Sequence, residues 1–593
     1  MTGTLDQDAL AERFREITER SQRVAAEFAA RHGTEAGATD PDPLGIGKAF
    51  LEMTARMMAD PARMMTAQAE LAQQYAKLWQ DTARRMMGGE PTPPVAETES
   101  GDRRFKDAAW RENFVFDFIK QSYLLSSRFL LGSLPEAEGA DRHEADKVAF
   151  YTRQFIDAMA PTNFAATNPR VLRETVDSNG ENLLRGFENL LRDLEAGKGQ
   201  LRIAQTDMSA FEVGRNVAVT PGKVVLRNDL MELIQYAPAT ETVHEVPLLI
   251  VPPWINKFYI LDLTPENSFV RWAVEQGHTV FVISWVNPDP RLSGKSFDDY
   301  MAEGPLAALD AIERITGARR ANAIGYCLGG TLLAVTLAWL AARGEAPIES
   351  ATYFASLVDF SEVGELGVFI DEEQVAALEA RMDKAGGVLE GADMATTFNM
   401  LRANDLIWSF VINNYLLGRD PVPFDLLFWN SDSTRMPQRM HSFYLRRMYM
   451  DNALAEPGAL EIAGERLDLT AVKTRTYVVG TREDHIAPWP GVYRGARHYG
   501  GPVRFVLAAS GHIAGIVNPP AAGKYSYWTH RQMLKDNESW LERAAEKPGS
   551  WWPDWSAWVA RSAGGKAPAR IPGEGPLPAL ADAPGTYVAE RAK

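Results

Sequence analysis

One cysteine occurs in the chain, Cys327, and it stands in Gly325-Tyr326-Cys327-Leu328-Gly329-Gly330. A short apolar run at 321–324 precedes the hexamer, and a helix-forming stretch at 331–342 follows it. Strand, Gly-x-nucleophile-x-Gly, helix describes a nucleophile elbow, a strained turn that presents one reactive side chain. Glycines flank the nucleophile because a side chain at either place would collide with the neighbouring strand or helix. A thiol on such a turn is suited to covalent nucleophilic chemistry. A buried structural thiol is the plainer reading, since free cysteine packs as a small hydrophobe, but it gives the glycines no reason.

A thiol nucleophile needs a base to take its proton and an acid to orient the base. In the α/β-hydrolase order the acid follows the nucleophile and the histidine comes last. Of nine histidines, His512 lies in Ala508-Ala-Ser-Gly-His-Ile-Ala-Gly515, directly after a β-rich run at 503–507. His498 falls in a turn-like stretch, and His530 has no strand before it. The acid expected is Asp484, in Val478-Val-Gly-Thr-Arg-Glu-Asp-His-Ile-Ala-Pro488. Its rivals are Glu483, which should point the other way, and Asp359, which follows an earlier strand. His485 reads as a hydrogen-bonded structural residue. One oxyanion donor is expected at the N–H of Leu328 and the second in Val251-Pro-Pro-Trp-Ile-Asn-Lys257. Pro252 and Pro253 have no N–H, so Ile255 or Asn256 is indicated.

These residues need a scaffold. After residue 200, short β-rich runs at 224–226, 248–251, 279–284, 321–324, 351–357, 476–479 and 503–507 alternate with helical stretches. Near-continuous apolar strands separated by helices predict a parallel, doubly wound α/β sheet covered on both faces. About 120 residues separate the strands at 351–357 and 476–479, far more than one crossover needs, and this insertion is read as a cap at about 360–450. The chain ahead of the sheet, 1–200, reads as a helical domain. Its first hundred or so residues are read as variable and partly disordered, with a methionine stripe at Met53, Met57, Met58, Met64 and Met65, and a further helical block from 108 to about 195 holds an aromatic cluster at Phe114, Phe116 and Phe118. The catalytic domain then spans 201–593, and its Pro/Gly/Ala-rich tail is expected to fray after about 563.

With 593 residues, two domains are the default. Apolar content of 46% and charged content of 24% are ordinary for globular protein. A net charge of −16 argues against nucleic acid as a partner. A lone cysteine excludes an intrachain disulfide framework and fits a reducing compartment. The acidic N-terminus lacks a signal-peptide pattern, and the longest apolar run, about a dozen residues, falls short of the roughly 20 that span a bilayer. The expected location is therefore cytoplasmic.

The pieces together resemble the class I polyhydroxyalkanoate (PHA) synthases. The Gly325–Gly330 hexamer matches their lipase-like box with cysteine, and Val251-Pro-Pro-Trp-Ile-Asn-Lys-Phe-Tyr, Gly480-Thr-Arg-Glu-Asp-His, Ser510-Gly-His-Ile-Ala-Gly515, Pro161-Thr-Asn-Phe-Ala-Ala-Thr-Asn-Pro169 and Trp429-Asn-Ser-Asp432 resemble their signature segments. The resemblance covers about 105–560. It implies an α/β-hydrolase fold and polymerisation of (R)-3-hydroxyacyl-CoA into a polyester. Cys327 would carry the chain, His512 would act as base, and Asp484 would assist. No cofactor or metal is implied, and no histidine pair has H-x-x-x-H spacing. The resemblance also implies a homodimer, association with the PHA granule surface, and phasins as partners. Arg402, Arg419 and Arg446 could meet the CoA phosphates, but each reads more readily as a solvated or structural charge. Two other readings remain: a cysteine hydrolase acting as thioesterase or lactone hydrolase, and a granule scaffold retaining a dead hydrolase fold. The size of the insertion and its apolar Phe424-Asp-Leu-Leu-Phe-Trp429 run speak against the first, and an intact triad speaks against the second.

Overall fold

The computed structural model describes residues 12, 15–24, 47, 54, 61–99, 101–134 and 141–591. They form two compact units, Met1–Asp207 with Phe398–Val422, and Met208–Thr397 with Pro423–Lys593. The boundary near 207 lies close to the expected 200. The insertion, read as one cap, is instead divided, because 398–422 belongs with the N-terminal helices.

The first unit contains α1 (Pro61–Met86), α2 (Phe114–Gly132), α3 (Asp141–Ala158), α4 (Pro169–Asp177) and α5 (Glu181–Ala196). Asn113 and Asn168 cap α2 and α4 by accepting first-turn N–H groups, the usual remedy for orphan donors. Leu78 of α1 packs with Trp110, Leu124 and Leu125, and Phe116 and Phe118 join this cluster. Met64 is half-buried and Met65 exposed, while Met53, Met57 and Met58 lie outside the described residues, as does most of the segment read as variable. The 398–422 segment is bound to α5 through polar side chains. Asn182 Nδ2 donates to Leu416 O at 2.8 Å, and Asn189 Nδ2 to Asn414 O at 3.1 Å.

The second unit is built on β1 (Gly222–Arg227), β2 (Met231–Tyr236), β3 (Leu248–Val251), β4 (Val280–Trp285), β5 (Ala321–Tyr326), β6 (Ile348–Phe354), β7 (Arg475–Thr481), β8 (Val503–Ala508), β9 (Ser526–Thr529), β10 (Ala545–Pro548) and β11 (Ala581–Asp582). Their order across the sheet is β10-β9-β8-β7-β6-β5-β3-β4-β2-β1-β11. From β4 to β8 all neighbours are parallel. At the edges β2 runs antiparallel to β4 and to β1, and β9 antiparallel to β8. This is the α/β-hydrolase sheet.

Alternate residues of the buried strands feed two cores. Leu249 and Val251 face one side with α7 (Ala307–Thr316), α8 (Leu328–Ala342) and α9 (Trp489–Ala496). Leu248 and Ile250 face the other with α6 (Phe269–Glu275) and α10 (Trp552–Val559). α8 is apolar on nearly every side and almost wholly buried, as a helix at the centre of such a sandwich must be.

β2 escaped the sequence reading because Glu232 and Gln235 interrupt its apolar pattern. Both are fully buried. Glu232 accepts from Arg227 Nε at 2.8 Å, Thr586 N at 2.8 Å and Tyr587 N at 3.0 Å, so residues from the far end of the chain satisfy it. The tail therefore does not fray after 563. Its Lys566–Pro568 segment pairs with Thr242–His244, and β11 extends the main sheet. A tail poor in apolar residues is held here by buried polar partners, which composition does not reveal.

Two buried imidazoles add an acid liability. Burial, with His244 and Lys566 nearby, pushes His278 down to about 3, and burial pushes His441 down to about 4. Below the ordinary histidine value near 6.5 the unfolded chain takes up protons that these side chains in the folded protein refuse. Stability is therefore lost as pH falls from about 6.5 toward 3. The thermal midpoint is expected to drop across that window, and less steeply in His278→Phe.

Candidate active site

The elbow is built as the glycines require. Cys327 follows β5 directly and serves as the N-cap of α8, with φ 52° and ψ −123°, a conformation a non-glycine residue adopts only under constraint. Its N–H donates to Phe354 O of β6 at 2.9 Å. A Cβ on Gly325 would strike Gly330, and one on Gly329 would strike the carbonyls of Val251 and Pro252. Gly329→Ala should therefore displace the start of α8 from β3. Overpacking of this kind costs about 1–3 kcal/mol, readable by chemical denaturation, and activity should fall with it.

His512 sits in the loop after β8 and is nearly buried. Its Nδ1 lies 2.8 Å from Asp484 Oδ2. Cys327 lies close enough to the same imidazole for its charge to act on it. Burial opposes the imidazolium, yet Asp484 and Cys327 together hold His512 well above the ordinary histidine range. Asp484 is itself enclosed, and burial alone would raise it. His512, the Ala487 N–H at 2.9 Å and Thr481 Oγ1 at 2.7 Å keep it below the usual carboxylate range instead. The three residues named from sequence thus converge.

Their supports were less visible. Tyr326, inside the Gly-x-Cys motif, donates its hydroxyl to His512 O at 2.9 Å and stacks on the His512 ring at 5.5 Å. Trp551 and Trp552 donate indole N–H groups to Gly515 O and Ile516 O, each at 2.9 Å, pinning the histidine loop from its far side. From the insertion, the buried phenols of Tyr444 and Tyr449 lie within electrostatic reach of Cys327; burial pushes both up, and Cys327 adds to it. Nothing in local spacing marked these tyrosines.

The rivals are employed elsewhere. Asp359 binds His498 Nε2 at 2.9 Å and Asn452 Nδ2 at 3.0 Å, making a second Asp–His pair. Glu483 is exposed, and His530 Nδ1 faces Gln532 O at 2.9 Å. Arg446 is clamped by Glu372 at 2.8 Å and Glu379 at 2.9 Å, which makes it a structural charge, and Arg402 pairs with Asp405 at 3.2 Å.

Leu328 is the first residue of α8, and its N–H, like that of Ile255, has no backbone acceptor among the described residues. The Gly329 contact brings the loop after β3 against this first turn. The Leu328 N–H, adjoining Cys327 at the start of α8, suits a developing oxyanion.

Sheet order, elbow and the acid and histidine loops define an α/β-hydrolase-fold enzyme with a thiol in the nucleophile position. Residues 101–273 match the family model described as poly-beta-hydroxybutyrate polymerase (PhaC) N-terminus. The chain is 49% identical over 589 residues to the poly(3-hydroxyalkanoate) polymerase subunit PhaC of Rhizobium meliloti, covering 99% of this chain and 96% of that protein. It is 54% identical over 536 residues to the poly(3-hydroxyalkanoate) polymerase of Methylorubrum extorquens, covering 90% and 88%. Against the PhaC subunit of Cupriavidus necator it is 45% identical over 548 residues, covering 91% of each. The chain belongs to the poly(3-hydroxyalkanoate) polymerase family.

Proposed function

We propose that this enzyme polymerises (R)-3-hydroxyacyl groups, delivered as CoA thioesters, into polyester, with Cys327 as the acyl carrier. What carries the reading is Cys327 on its elbow beside the His512–Asp484 pair, in a chain of this family. His512 takes the Cys327 proton, and the thiolate attacks the thioester carbon. The carbon–sulfur bond to CoA breaks, and the CoA thiolate leaves with the proton held by His512. The N–H groups of Leu328 and Ile255 hold the oxyanion between these steps.

Extension begins when the 3-hydroxyl of an incoming acyl-CoA loses its proton to His512 and attacks the chain thioester on Cys327. An ester bond forms, and Cys327 leaves as the thiolate. The lengthened chain, now on CoA, returns to Cys327 as in the first step and CoA is released. Exchange between similar sulfurs is close to thermoneutral, so the chain can pass back and forth. Asp484 keeps the His512 proton on Nδ1, leaving Nε2 free to act as base.

The remaining partners follow the family: a homodimer, in the cytoplasm, on the surface of polyester granules, with phasins nearby. No helix among the described residues is long and apolar enough to cross a membrane. The deciding assay follows CoA release from 3-hydroxybutyryl-CoA with a thiol reagent, together with recovery of polymer. Free 3-hydroxybutyrate without polymer would replace this reading with the hydrolase.

A further inference from the structure

The loop that carries Ile255 and Asn256 is held from behind by the last residues of the chain. Lys257, which follows them, is enclosed: its side chain is 3% exposed and that of Asp432 is 1% exposed. Lys257 Nζ lies 2.9 Å from Asp432 Oδ1 and donates to Val588 O at 2.7 Å and Glu590 O at 2.6 Å. Two of its donors are placed on these carbonyls, and the carboxylate faces it as an ion pair. The second oxygen of Asp432 accepts the Tyr259 hydroxyl at 2.9 Å, so the carboxylate is committed as well.

The segment around Asp432 then grips the loop's backbone. Trp429 Nε1 donates to Lys257 O at 2.7 Å, and Thr434 N donates to Ile255 O at 3.0 Å, while Thr434 Oγ1 also meets the Trp254 carbonyl. The carbonyls of 254, 255 and 257 are thereby engaged, and the N–H groups of Ile255 and Asn256 have no backbone acceptor among the described residues. The strap ends with the Arg591 guanidinium over the Phe428 ring, 4.8 Å from its centroid, on the short helix Asp425–Asn430 that leads to Asp432. Burial works against the Lys257 charge and Asp432 works for it, with burial the stronger, so this cation persists only while its partners stay in place.

We propose that Lys257 is a positioning residue for acyl transfer. Clamped between Asp432 and the carbonyls of Val588 and Glu590, it sets the Ile255–Asn256 backbone against the first turn of α8, which makes the C-terminal tail a working part of the oxyanion site. The proposal rests on the acyl-transfer reading, and its test separates the two.

Two variants suffice, a chain ending at Thr586 and the full-length Lys257→Met. For both, kcat for CoA release from 3-hydroxybutyryl-CoA should fall about 10- to 100-fold, with KM within about threefold, the scale of a misplaced oxyanion donor. Alkylation of Cys327 by iodoacetamide needs the thiol and its base but no oxyanion donor, and should stay within about twofold of wild type by the same reasoning. Amide hydrogen exchange should quicken at 254–258 and not at 505–516. Unchanged kcat, alkylation that falls in step with kcat, or unchanged exchange at 254–258 would each overturn the clamp. Should the shortened chain fail to fold, Lys257→Met carries the test. If wild type releases no CoA, the acyl-transfer reading falls, and exchange with alkylation still judges the clamp.

Discussion

Cys327→Ala should abolish CoA release from 3-hydroxybutyryl-CoA, a loss of roughly 10⁴-fold or more, because no other thiol exists in the chain to accept the acyl group. The fold should survive, since Cys327 is only half-buried and its backbone is held by Phe354 O and by the start of α8. Thermal melting of the variant should therefore match wild type closely. Cys327→Ser tests a finer point. The hydroxyl fits the elbow but is far harder to ionise than a thiol, and it makes oxygen esters that do not exchange freely with CoA. Severe impairment with residual acylation is expected, readable by mass spectrometry of the intact protein. Full activity in the alanine variant would remove Cys327 from the chemistry altogether.

The second large effect is expected at Asp484→Asn. An amide there can offer its NH₂ to His512 Nδ1, which moves the ring proton to Nε2 and turns the base facing Cys327 into a donor. In Ser-His-Asp triads this change lowers kcat roughly 10⁴-fold, and a loss of about 10³–10⁴-fold is expected here. The sign of the pH effect follows from the same contacts. Asp484 helps hold His512 above the ordinary histidine range, against burial. Without that carboxylate, Cys327 alone opposes burial, and the imidazole loses its proton at lower pH than in wild type. The pH profile of iodoacetamide alkylation should report that change. Asp359→Asn is the control: it breaks the pair with His498, leaves the His512–Asp484 contact in place, and should change kcat by no more than a few-fold. If Asp359→Asn is the variant that silences the enzyme, the acid has been misassigned.

Where the sequence was informative, the constraint was local. Gly325 and Gly329 are glycines because carbonyls and backbone crowd them, and the same crowding marks the elbow in any chain of this fold. Asp484 and His512 each directly follow a strand of the parallel sheet, so strand patterning alone brought them to the same edge. The reading failed where distant residues complete an element. Glu232 makes β2 look broken until Thr586 and Tyr587 arrive to satisfy it. The tail looked loose because its anchors are Lys257 and Glu232, more than 300 positions away by sequence number. The 398–422 segment follows its neighbours in sequence but joins α5 through asparagine side chains, a link that hydrophobic periodicity does not encode.

The indoles of Trp551 and Trp552 have one more consequence, which concerns the order in which the chain is made. Cys327 precedes them by more than 200 positions, and His512 also comes before them in the chain. The histidine loop acquires its two anchoring hydrogen bonds only when the stretch around 551–552 has emerged and docked. A chain that stops short of them would hold a thiol whose base keeps Asp484 and Tyr326 as partners but lacks these two anchors on its loop.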